Sequence, residues 1–173
     1  RGRGGVVENL LANGIIMEDL REGISIDMGY EGTTESVFPV TEETPFFKNI
    51  RYSNIIGHNI EQAINIIGLQ EAPPQDIILE NIRLECKRGL VANNVNQLTL
   101  RNVELLSSNN QAPFSIANAS NVILDNLASC RLTDKYPVID MKMVEGAVLT
   151  DCIISSKEKG WFMRSTDCYG IEY

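Results

Sequence analysis

One histidine, four cysteines and a scatter of carboxylates are the residues of this chain whose types suit proton transfer, nucleophilic attack or metal binding. Cys86, Cys130, Cys152 and Cys168 form no C-x-x-C pair and His58 stands alone, so neither a metal site nor a cofactor is expected. The cysteines read as buried thiols. If the protein is exported they allow three disulfide pairings, and the sequence selects none. A histidine titrates near neutrality and suits general-base work, yet Ile56-Gly57-His58-Asn59 reads as a loop with no acid pair beside it. Asp27 has the chemistry of a catalytic acid. Ile24 and Ile26 alternate with Ser25 and Asp27, however, so inward isoleucines put Asp27 on the surface. Arg1 and Arg3 carry permanently charged planar forks that bind carboxylates bidentately; the alternative is solvated charge on a turn. Lys48, Arg51, Arg83, Lys87, Arg88 and Arg101 are spread over exterior positions, where solvation is the default and no binding stripe is expected.

The elements that position these residues come from a single soluble unit. A chain of 173 residues, 43% hydrophobic and 22% charged, can bury a core and is too apolar for disorder. No apolar run approaches the roughly 20 residues needed to span a bilayer, so no membrane segment is expected. The net charge of -8 argues against nucleic-acid binding through a general basic surface. Asn118-Ala119-Ser120 fits a glycosylation acceptor, a pattern short enough to arise by chance, and no modification is expected there.

Internal repetition organises the chain. VVENLLANGI, FFKNIRYSNI, IILENIRLEC, LTLRNVELLS, VILDNLASCR and VLTDCIISSK each alternate apolar and polar residues around Asn9, Asn49, Asn81, Asn102, Asn126 or Asp151. The last three steps are 21, 24 and 25 residues (81 to 102, 102 to 126, 126 to 151). Each unit ends in a further short apolar stretch, such as GISIDM, AINIIG or PFSIAN, giving about three strands per unit. Period-2 alternation without a helical stripe predicts an all-β chain, a right-handed single-stranded parallel β-helix of about six coils. Coils stacked at about 4.8 Å make a rod roughly 29 Å long. The repeated Asn is expected at a bend, bonding the same amide one coil away in an asparagine ladder, with Asp151 keeping only the acceptor. A leucine-rich repeat shares the period. There the Asn is followed by a variable residue and then Leu; here an apolar residue follows at once and begins a new strand.

The first thirty residues resemble the polygalacturonases, glycoside hydrolase family 28, which share the pectin-lyase-like β-helix. That family follows a basic R-I-K motif with a glycine cluster and V-x-N-[IV], as in Gly2, Gly4, Gly5, Val7, Asn9 and Leu10. The next coil of the family ends in I-x-I-[DE]-x-x-Y, which Ile24 to Tyr30 match. The resemblance implies inverting hydrolysis of pectic polysaccharide, with the protein secreted or periplasmic and pectic polymer or oligogalacturonide as its partner.

Inverting glycosidases need a protonated carboxylic acid and a carboxylate base across one cleft. The family takes these from N-T-D and D-D motifs, helped by G-H-G and R-I-K, and none of the four is present. Residues 1–173 therefore read as a single domain, the C-terminal part of a longer hydrolase, without catalytic residues and inactive alone. The alternative is a non-catalytic glycan-binding or structural β-helix module. By the resemblance, Tyr30 contacts the sugar near the cleavage site, its ring and hydroxyl suiting a pyranose, and Arg1 and Arg3 lie beside the cleft as binders of uronate carboxylates. Residues 31–45 read as an inserted acidic loop that follows Tyr30 and shapes access. A solenoid cut within its coils would expose an edge at its first coil and associate end to end.

Overall fold

The computed structural model describes residues 2, 4–29, 36–129, 135–154 and 161–173, for 153 and 154 the backbone alone. Among them nine strands follow one another: β1 (Val6–Glu18), β2 (Glu22–Asp27), β3 (Phe46–Ile67), β4 (Gln75–Ser107), β5 (Phe114–Ser129), β6 (Ile139–Thr150), β7 (Ile153–Ile154), β8 (Met163–Thr166) and β9 (Tyr169–Glu172). Every pairing is parallel, in the order β1-β3-β4-β5-β6-β8, with β2 on β3, β7 on β5 and β9 on β6. The chain is a right-handed parallel β-helix. Its long strands run through corners and span more than one side of the coil, as β4 does over 33 residues.

The corners explain the repeat. Asn9, Asn49, Asp76, Gln97, Asn121, Gly146 and Gly170 all have positive φ, and the register stacks them in one column. Gly14, Asn54, Asn81, Asn102, Asn126 and Asp151 form a second column, each five residues after its neighbour in the first (9 and 14, 49 and 54, 76 and 81). Asn and Gly dominate because the left-handed region penalises a Cβ, a cost that a short polar side chain offsets by bonding locally. From each corner the chain runs in, out, in, out and reaches the next corner: Ile77 and Leu79 are buried before Asn81, Ile82 and Leu84 after it.

That regularity corrects the expected ladder. Asn9 and Asn49 are not equivalent to Asn81, Asn102, Asn126 and Asp151; they occupy the first column, and the counterpart of Asn81 is Asn54. The second step is therefore 27 residues (54 to 81) rather than 32. Both corners are flanked by the same apolar alternation, so an alignment displaced by one corner keeps the pattern. The side-chain ladder is real in the second column: Asn126 donates to Asn102 at 2.8 Å, Asn102 to Asn81 at 2.9 Å and Asn81 to Asn54 at 3.1 Å. Where the column reaches Gly14, Asn13 supplies the acceptor for Asn54, at 2.8 Å.

Inside, residues of one type of position stack along the axis, as in Ile50, Ile77, Leu98, Val122 and Ala147. Phe114, Ile64 and Leu90 fill a second line on another side. Burying each such side chain contributes about 1.5–3 kcal/mol, and there is one on nearly every second residue of the central coils. Cover falls off at the first coil, where core-facing Leu10 remains 37% exposed and β1 pairs with β3 alone among the described residues. Cys86, Cys152 and Cys168 are not in disulfides, Cys86 being buried, and burial pushes the Cys152 thiol up from its ordinary pKa. Cys130 lies outside the described residues.

Candidate functional site

Arg1, Arg3 and Tyr30, the residues expected to bind substrate, lie outside the described residues, as do 31–35 of the expected loop. Their chain neighbours meet at one corner of the first coil. The Gly2 and Gly4 amides both donate to the Glu43 carbonyl, at 3.1 and 3.0 Å, and Phe46 donates to the Gly5 carbonyl at 3.0 Å. Gly4 has φ +60, and a Cβ there would stand 2.2 Å from the Glu42 carbonyl oxygen, so only glycine fits. From the other side, Met28 is buried with Leu69 and Ala72 against Phe47. The glycine cluster, the segment 36–45 and the end of β2 thus share one corner, around a cavity of about 220 Å³ whose lining includes Phe38, Glu43 and Glu71. Asp27 is exposed and accepts the Gly29 amide at 2.7 Å, while Ile24 and Ile26 are buried, as the alternation requires.

A second region opens on another side of the first three coils, where sequence patterning gives no warning. His58 is in β3 and not in a loop, within a register shift between Gly57 and Ile60. Bulges of this kind re-aim side chains. His58 Nδ1 lies 3.2 Å from Glu85 Oε2, both side chains being more than half exposed. Next to them Lys87 Nζ meets Glu61 Oε1 at 2.7 Å, and a cavity of about 600 Å³ runs between Asn59, Glu85, Cys86, Lys87 and Ser108. The Lys87 ammonium, through its hydrogen bond and its charge, holds the Glu61 carboxyl below the usual carboxylate range, with Arg88 and Arg21 adding to the effect.

Past Glu61 lies a polar cavity of about 320 Å³ lined by Arg21, Glu22, Glu61, Gln62, Asn65 and Arg88. Register builds it: Glu22, Gln62 and Arg88 stack on successive coils at the starts of three parallel strand segments. The residues that recur there are Arg21-Glu22-Gly23-Ile24, Glu61-Gln62-Ala63-Ile64 and Lys87-Arg88-Gly89-Leu90, a charged or polar pair before a small and then an apolar residue. That four-residue pattern is the sequence signal for the site. Arg88 and Lys87 read singly are solvated cations; in the coil, Arg88 lines this cavity and Lys87 the 600 Å³ one. Among the described residues no group of three or more His, Cys, Asp or Glu could hold a metal ion, and no helix is long and apolar enough to cross a membrane.

No family model, curated protein or solved structure matches this chain.

Proposed function

We propose that this β-helix belongs to a polygalacturonase-like glycoside hydrolase that cleaves pectic polysaccharide with inversion, and that residues 1–173 supply cleft wall and substrate contacts rather than the catalytic acids. The observation that supports it is the meeting of the glycine cluster with the end of the Ile24–Asp27 strand at one corner of a parallel β-helix. On this reading the protein works outside the cytoplasm, secreted or periplasmic. The purified chain is expected to bind polygalacturonate and release no reducing ends from it. Turnover that survives purification and disappears on mutating an Asp of this chain would overturn the proposal.

The second reading is a β-helix that binds glycans or serves as a structural module without any hydrolytic partner sequence. The pairing of Glu61 with Lys87 and of Glu85 with His58 favours it, since both groove carboxylates already face a basic side chain. The coding sequence ahead of Arg1 separates the two. R-I-K, G-H-G and the acid motifs there support the hydrolase; their absence supports the module.

A further inference from the structure

The arginines of this surface divide into two groups. Arg51, Arg83, Arg101 and Arg164 each face a carboxylate on a neighbouring coil: Glu80 at 3.8 Å, Glu104 at 2.9 Å, Asp125 at 3.1 Å, and Asp140. Arg21 and Arg88, the remaining described arginines, have no salt bridge within 4.0 Å, and both line the 320 Å³ cavity. Lys87 is spent on Glu61. Two guanidinium forks without a close ion pair thus line one hollow together with Glu22 and Glu61, in a chain whose net charge is -8. The Asn65 amide and the Glu22 carboxylate at the same hollow are also without side-chain partners. Its floor is fixed, because buried Gln62 donates Nε2 to the Gly89 carbonyl at 2.6 Å and to the Ile64 carbonyl at 3.1 Å, tying two coils together.

We propose that Arg21 and Arg88, with Asn65 and Glu22, form a subsite for an acidic sugar, a pyranose carrying a carboxylate and free hydroxyls. Arg21 and Arg88 belong to coils two levels apart, about 10 Å along the axis, and both line the hollow, a separation that a sugar ring seated between them spans. A carboxylate satisfies planar guanidinium groups bidentately. The hydroxyls of the same ring donate to Glu22 and accept from Asn65; a phosphate dianion would accept from Asn65 but meet Glu22 with like charge. The subsite is distinct from the corner that holds the glycine cluster. It sits at the start of β2 and that corner at its end, about 17 Å away for five residue steps. The choice of an acidic sugar rests in part on the pectic reading above; the location rests on the unpaired cations.

Calorimetry of the full chain with oligogalacturonate, its fully methyl-esterified form, oligoglucuronate and inorganic phosphate tests the proposal. Arg21→Gln and Arg88→Gln are each expected to weaken oligogalacturonate binding about tenfold, the cost of one charge-assisted contact. Esterification should weaken it similarly, and Arg101→Gln should change nothing. Unaltered affinity in both cavity variants overturns the subsite and leaves the pectic reading standing. Oligoglucuronate held through both arginines, with no binding of oligogalacturonate, supports the subsite and removes the pectic reading. Phosphate binding as tightly as the oligomer, or no acidic oligomer bound by the wild type, overturns the proposal. If a glutamine variant loses its fold by circular dichroism, the corresponding lysine variant carries the test, with weaker binding expected at unchanged charge.

Discussion

At the scale of single residues, the chemistry of the groove is set by which charges find partners on the next coil. Glu61 illustrates it: Lys87 donates to it from one level away, and its proton affinity falls. Its folded-state pKa lies below the unfolded one, so the stabilisation is present above the ordinary carboxylate range and is lost as pH falls through the folded value. Because Glu61 is exposed, the effect on overall stability is small. The effect on its own titration is measurable. In Lys87→Met the Glu61 carboxyl followed by NMR is expected to titrate at higher pH than in the wild type; an unmoved midpoint would assign the depression to Arg21 and Arg88 instead. The identities of Lys87 and Glu61 are plain in the sequence. Their contact is not, because 26 residues separate them and only the coil length brings them together.

At the scale of the element, the corner decides more than the strand. Asn102 has φ 51, donates to Asn81 and accepts from Asn126, so it combines a backbone demand with a side-chain ladder. These contributions separate by substitution. Asn102→Gly keeps the backbone conformation and loses both ladder bonds, costing about 2 kcal/mol at about 1 kcal/mol per net hydrogen bond. Asn102→Ala adds the left-handed penalty of about 1–2 kcal/mol. Urea unfolding should therefore rank wild type above Asn102→Gly above Asn102→Ala; equal stability of the two variants would mean that the corner imposes no conformational cost. The existence of such corners was legible from the recurring Asn with an apolar residue after it. Which Asn stacks on which was not, since two corners five residues apart carry identical patterning and Asp76, Gln97 and Gly146 disguise the first column.

At the scale of the whole molecule, a solenoid is held by contacts between successive coils, and its stability varies along the axis. β4 is covered on both sides by β3 and β5, whereas β1 has one neighbour and β9 pairs only with β6. Amide exchange is expected to be slowest in β4 and β5 and fastest in β1 and β9. Uniform protection from end to end would show that the rod opens only as a unit. By itself the sequence determined the all-β class, the steps of 21, 24 and 25 residues in the later coils, the inward faces of Ile24 and Ile26 and the outward face of Asp27, because alternation and corner chemistry act between residues close in the chain. Only the tertiary structure decided that Arg21, Glu61 and Arg88 line one cavity and that His58 faces Glu85 from a strand. Those neighbours depend on coil lengths of 40 residues between β1 and β3 and 27 between β3 and β4, which local pattern does not set, since the intervening loops add residues without disturbing the strands they join.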